Sequence, residues 1–268
     1  MISKPAEIVH ATISIMLIAL SIPVPSEAVA HDIRITVAKH GGQLSAQVNI
    51  GDTEDRQMPD QNRVVTLDLV TAARTVDLRK PLTSIQRQHK PVLESRRFSA
   101  PAGSLLSVIY GNGSWVKSPK DKSDINSNRS LVPGGTSEHW TVKYGKMLLG
   151  PGAFSRILHS RLELLPLKDP FSLACGQKLS VRLELNGNPM AGVRIGHGDG
   201  LTPIPDERTP YVTTDGHGVA EIPLNRRGAY LLTADCDAPP LRSELSEYDH
   251  LYASLTFDTS RQAQASPE

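Results

Sequence analysis

The sequence predicts a mainly β protein of two β-sandwich-like domains, with one short helix near residues 138–149. Three observations predict it. Apolar and polar residues alternate over short runs, the period of a half-buried strand. Turn formers break those runs often, with 20 glycines and 20 prolines among 268 residues. Helical spacing of large apolar residues stands out in one stretch of the mature chain.

The chain opens with Lys4, an apolar run from Ala11 to Ile22, and Pro23 and Pro25 that break it. Ala28 and Ala30 then occupy the small-residue positions of a cleavage site. A basic start, a short apolar run and an A-x-A exit describe a secretory signal peptide over residues 1–30. The run is shorter than the roughly 20 residues that span a bilayer as a helix. Cleavage after Ala30 makes the protein exported and periplasmic, and makes His31 its first residue.

The N-terminal β-rich domain is drawn over residues 31–160. Ile33, Ile35 and Val37 alternate within 31–39, His40-Gly41-Gly42 turns the chain, and 44–50 alternates again, which is a β-hairpin. A polar loop follows, then strands at 64–70 and 75–78. Residues 83–97 are charged and weakly patterned, and read as surface loop. A short buried strand covers 105–110, and the polar stretch 114–137 reads as an exposed loop. In 138–149, Trp140, Tyr144, Met147 and Leu148 fall at helical spacing, with Ser137 as cap and Gly150-Pro151-Gly152 as stop.

The C-terminal β-sandwich is drawn over residues 161–258. Residues 161–167 alternate, and Lys168-Asp169-Pro170-Phe171 makes a corner. The alternating strand 179–185 runs into Asn186-Gly187, a pair that tolerates the positive φ angles of a type I′ turn. Short strands at 192–195, 211–214, 219–224, 228–234 and 251–257 complete a sandwich pattern. The polar tail 259–268 is expected to fray.

Composition excludes several classes. Cleavage removes Lys4, Glu7 and Glu27, so a net charge of +1 becomes +2, with no electrostatic reason to expect nucleic acid as a partner. Two cysteines exclude a Cys-rich metal cluster. In an exported protein Cys175 and Cys236 read as a disulfide, the alternatives being free thiols or a thiolate metal pair. The common enzyme motifs are missing: there is no H-E-x-x-H, no G-x-S-x-G and no Walker loop. A metal site remains open, because a sandwich gathers ligands from distant strands. The α-amine and imidazole of His31 sit on one residue and can chelate one ion, and imidazole suits copper, nickel and zinc alike. His197 and His217, each between glycines on a turn, are the candidate further ligands. Asp32 could accept a hydrogen bond from a ligating imidazole.

Several blocks, in order, resemble one family. They are His31-Asp32, the 143–149 stretch (KYGKMLL), the 162–171 stretch (LELLPLKDPF), Gly192-Val193, the 214–220 stretch (TDGHGVA) and the 252–257 stretch (YASLTF). Together they resemble the exported DUF4198 family, described in part as NikM-like nickel-uptake components. The resemblance implies a second part that is immunoglobulin-like or carboxypeptidase-regulatory-like, an envelope location, and a link to nickel or cobalt uptake. The chain departs from the family pattern at Ile33-Arg34, where an aromatic pair is expected, and at Cys236, where a histidine is expected.

The expectation is therefore a non-enzymatic periplasmic protein that binds a divalent ion (nickel, cobalt or copper) and assists its uptake by a membrane metal transporter. The alternative is an envelope interaction module without a metal, whose partner is another envelope protein. A copper oxygenase with a histidine brace ranks last.

Overall fold

A computed structural model describes residues 33–51, 56–87, 89–202, 204 and 208–261. The predicted signal peptide, His31, Asp32 and the end of the tail lie outside the described residues. In chain order the strands are β1 (Ile33–His40), β2 (Gln43–Gly51), β3 (Arg56–Gln57), β4 (Val64–Val70), β5 (Thr75–Asp77) and β6 (Leu82–Arg87). They continue with β7 (Lys90–Ser95), β8 (Leu105–Lys117), β9 (Asp124–Ile125), β10 (Thr136–Leu148), β11 (Leu162–Pro166) and β12 (Lys178–Leu185). The rest are β13 (Asn188–Pro189), β14 (Arg194–Gly198), β15 (Tyr211–Thr213), β16 (Val219–Pro223), β17 (Ala229–Ala238) and β18 (Tyr248–Asp258). The protein is mainly β, as its alternating runs predict.

Three sheets stack around two cores. The middle sheet runs β15-β14-β17-β18-β10-β8-β4-β5, with β9 on β8. One of its faces carries the sheet β1-β2-β7-β6, and Ile33, Ile35, Val48, Leu67, Leu106 and Val108 fill that core. The opposite face carries β11-β12-β13 with β16, closing a second core around Leu164, Val181, Ile222, Leu232, Leu255 and Phe257. The strand period makes this possible: on β10, Met147 packs into the first core and its neighbour Leu148 into the second. The hydroxyls of Ser254 and Thr256 donate to the carbonyls of Ile33 and Ile35, tying β1 across β18. Gly145 lets β1 lie close, because a Cβ there would come within 2.7 Å of Val108 and 3.5 Å of both Ile33 and Ile35.

Four sequence expectations change. Residues 138–149 are no helix but the long central strand β10, antiparallel to β8 and parallel to β18. Trp140 and Tyr144 stand four apart, a spacing that helix and strand share. The buried cations Lys143 and Lys146 hide the alternation that the strand obeys. Residues 83–97, read as loop, contain most of the β6–β7 hairpin, whose side chains are exposed on β6 and whose apolar inner residues sit on β7. In 114–137, β8 extends to Lys117, Asp124–Ile125 adds a short strand to it, and β10 already starts at Thr136. The boundary drawn at residue 160 is also crossed by hydrogen bonds, since β10 and β18 are neighbours in one sheet. The Asn186-Gly187 turn does form, with φ of 52° and 78°.

The cysteines are both free: Cys175 is exposed and Cys236 half-buried. The disulfide expectation fails on distance. Gly176 N–H donates to the carbonyl of Leu224, which puts Cys175 near the end where β17 begins. Cys236 lies seven residues along β17 from Ala229, roughly 20 Å away at the rise of a strand, whereas a bridge needs Cα atoms within about 7 Å. Burial, with Asp235 and Asp237 beside it, pushes the Cys236 thiol up to about 12. The native protein should therefore give one fast-reacting thiol in a thiol-disulfide exchange assay, assigned to Cys175 by peptide mass, and two after unfolding. Two unreactive cysteines in the unfolded, unreduced chain would show a bridge instead.

Candidate functional site

The first sheet covers only part of the middle sheet. Beyond its edge, β10, β18 and β17 bring a row of polar side chains to the same face. Register fixes the row: His139 lies opposite Tyr248, Thr141 opposite His250, and Lys143 opposite Tyr252. On the other side of β18, Asp237 is opposite His250 and Asp235 opposite Tyr252.

His250 is the centre of this group. Its Nδ1 lies 2.5 Å from Asp237 Oδ1, so Nδ1 carries the proton and donates it to the carboxylate. Nε2 is then the bare lone pair. It lies 3.6 Å from Asp235 Oδ2, and it is buried without a hydrogen-bond partner. Burial raises the Asp235 carboxyl above its ordinary range, against the pull of His250. The rings of His139 and His250 meet edge to face, 6.0 Å apart. His139 Nδ1 is 3.0 Å from the carbonyl of Ser137 and 3.2 Å from Tyr248 Oη, and its ring stacks on Tyr248 at 5.0 Å. The carbonyl can only accept, so His139 too holds its proton on Nδ1. Burial lowers the basicity of His139 and pushes the Tyr248 hydroxyl up to about 12. Lys143, 1% exposed, places its Nζ 3.8 Å above the Tyr252 ring, a cation–π contact beneath the row.

An imidazole held by a carboxylate on one nitrogen and open on the other is the usual form of a metal-binding histidine. Two ligands at a tetrahedral ion with bonds near 2.1 Å stand about 3.4 Å apart. The 3.6 Å between His250 Nε2 and Asp235 is close to that separation. Among the described residues, however, no group of three or more His, Cys, Asp or Glu side chains is arranged to hold a metal ion. The pair offers two donor atoms, one nitrogen and one oxygen.

The predicted ligands lie elsewhere. His197 follows Ile195 on β14, on the face that looks into the second core, away from Asp235 and His250. Its basicity is lowered by burial. His217 is exposed on a turn built by Asp215, whose carboxylate accepts from the N–H groups of His217 and Val219. These two histidines sit at opposite ends of the β14–β15 pair: His197 N–H donates to Pro210 at one end, and Thr214 bonds Val193 at the other. The structure does not bring them together. His31 and Asp32 lie outside the described residues.

A sequence signal for the observed group did exist. Tyr248, His250 and Tyr252 alternate, as do Asp235 and Asp237, and alternate residues of a strand share a face. What the sequence lacks is the pairing of β10 with β18, which adds His139.

A family model described as a domain of unknown function, DUF4198, matches residues 28–237. The chain belongs to the DUF4198 family. The match spans most of the chain, from just before His31 to Asp237, so the DUF4198 region includes Asp235, Asp237 and His139 while β18 with His250 lies beyond it. No curated protein matches the chain. Among the described residues of this DUF4198 protein, no helix is long and apolar enough to cross a membrane.

Proposed function

We propose that this DUF4198 protein is an exported, periplasmic metal-handling protein that binds a divalent transition ion (nickel, cobalt or copper) and presents it to a membrane transporter. The observation that supports this reading is the buried, unpartnered Nε2 of His250, set 3.6 Å from the Asp235 carboxylate. A bare buried lone pair costs free energy unless something binds it. An ion there meets two carboxylates, one as ligand and one behind the imidazole.

In this reading His31 completes the half-site, giving an amine and an imidazole once cleavage after Ala30 frees them. The direction of β1 supports it. Ile33 is bonded to Ser254 and Ile35 to Thr256, so β1 runs with β18 and starts at the end nearer Tyr252 and His250.

The test is calorimetric titration of nickel and cobalt into protein whose mature start at His31 is confirmed by intact mass. One ion per chain is expected. Asp237→Asn should weaken binding about 10–100-fold, the usual effect of losing the group behind a ligating imidazole, and His250→Ala more. A chain carrying one extra glycine ahead of His31 should also bind more weakly. Wild-type affinity in His250→Ala would overturn the site. Wild-type affinity in the glycine-extended chain would remove His31 from it.

A further inference from the structure

β1 meets the middle sheet by its edge, where the carbonyls of Ile33 and Ile35 accept from Ser254 and Thr256. Ile33 and Ile35 fill the first core, so Arg34 between them points to the outer face of the first sheet. There its guanidinium reaches β17 and the chain just after β14. A Cβ on Gly200 would come within 2.5 Å of Arg34 Nη1 and 3.1 Å of Leu231. Asn49 lies opposite Arg34 on β2, and its carboxamide oxygen accepts from Arg56 Nη1 at 3.4 Å. Arg56 Nη2 donates to the Gly200 carbonyl at 2.9 Å. Two guanidiniums from different strands therefore converge on one glycine, and Gly200, with a φ of +63°, lets the chain come this close.

Like charges repel, and burial removes the water that would screen them. Arg34 is 5% exposed, burial lowers the Arg56 pKa, and Arg56 Nε is buried without a hydrogen-bond partner. The charge of Arg56 adds to burial in lowering the Lys90 pKa. Among the described residues, neither Arg34 nor Arg56 forms a salt bridge. Two described acids close by are engaged elsewhere: Glu94 with Arg87 and Gln47, and Asp199 with the N–H groups of Leu201 and Thr202. Beside the guanidiniums the floor is open. Gly198 pairs with Leu231, and a Cβ there would meet nothing within 4 Å.

We infer that Arg34 and Arg56 form a binding site for a small doubly charged oxyanion, a phosphate or a dicarboxylate, seated over Gly198 and Gly200. A guanidinium offers five N–H donors in a fork that matches carboxylate and phosphate oxygens, and hydrogen bonds to Asn49 and Gly200 occupy two of those on Arg56. The site is separate from the His250 group, which lies farther along β17 at Asp235 and Asp237, and it stands whether or not a metal binds there.

Inorganic phosphate and malonate are the probes, titrated calorimetrically into the protein at constant ionic strength. Saturable binding of one anion per chain is expected, and the better of the two probes tells a tetrahedral ligand from a planar one. Arg56→Gln should weaken it about tenfold or more, the share of one charge-assisted hydrogen bond. Gly198→Leu should block it without removing a charge, since Gly198 is outside the left-handed region and accepts a side chain. Arg87→Gln removes a cation already paired with Glu94 and should leave binding unchanged. Asp52, Glu54, Asp55, Asp206 and Glu207, acids near Arg56 and Gly200 along the chain, lie outside the described residues. A carboxylate of theirs on the guanidiniums would leave no saturable binding, and that result would overturn the inference. Wild-type affinity in Arg56→Gln would overturn it too, as would an equal loss in Arg87→Gln, the mark of diffuse charge.

Discussion

Glu163→Ala should cost about 3–5 kcal/mol of folding stability, the range for breaking a buried ion pair from one side. Lys146 on β10 and Glu163 on β11 form a salt bridge with both side chains only 5% exposed. The carboxylate is also the acceptor for Leu158 N–H at 2.9 Å and Ser160 N–H at 3.3 Å, so it holds the 157–161 segment as well as the lysine. Removing it leaves an ammonium in the interior with the carbonyl of Leu164, at 3.4 Å, and the weaker attraction of Glu184 to meet it. Burial already lowers the Lys146 pKa, and the attraction and hydrogen bond of Glu163, with a smaller pull from Glu184, oppose that shift. The double variant Lys146→Met/Glu163→Leu removes both charges together and should recover much of the loss. Urea denaturation, read by midpoint at constant slope, checks the pair. A double variant no more stable than Glu163→Ala would mean that the backbone bonds of Glu163, rather than the ion pair, carry the effect.

This pair also shows what was legible in the sequence. Alternation identified most strands: 33–40, 43–51, 64–70, 162–166 and 178–185 all lie where apolar residues recur at every second position. It failed on β10, where Lys143 and Lys146 occupy interior positions that the pattern expects to be apolar. Each lysine is buried for a reason that lies far along the chain: Lys143 against Tyr252 and Lys146 against Glu163. Local sequence cannot supply such partners. The β6–β7 hairpin was missed for the opposite reason, since Arg87 and Glu94 form an ion pair on its outer face and the stretch looks like solvated loop.

The candidate site was less legible than the fold. His197 and His217 attracted notice because glycines flank them, but Gly196 serves strand approach, where a Cβ would come within 2.9 Å of the Thr233 hydroxyl, and Gly218 serves a turn. Gly218 has a φ of +74°, and a Cβ there would come within 2.8 Å of Pro189 and Met190. His250 sits in a strand with no flanking signal. Its importance comes from two long-range pairings, β18 with β17 and β18 with β10, that set Asp235, Asp237 and His139 around it. A site assembled by register across three strands has no contiguous motif.

The second large effect is expected at Phe257, where Phe→Ala should cost about 3–5 kcal/mol. Its ring is 1% exposed, stacks on Tyr230 at 5.1 Å and meets Phe171 edge to face at 6.5 Å. Phe171 ends the Leu-Pro-Leu-Lys-Asp-Pro-Phe block and Phe257 ends the Leu-Thr-Phe block, so two of the most specific stretches of the sequence touch here. The corner is rigid around them: Asp169 accepts from Phe171 N–H at 3.0 Å and from Gly152 N–H at 2.8 Å. Neighbours held this way cannot collapse into the space an alanine leaves, which places the cost in the upper half of that range. Phe257→Leu keeps most of the volume and should cost about 1.5 kcal/mol or less. In a double-mutant cycle, Phe171→Ala should couple to Phe257→Ala by about 0.5–1.5 kcal/mol, the share of one aromatic pair. Additive losses would mean that both rings fill volume independently, and that the corner is held by the Asp169 bonds alone.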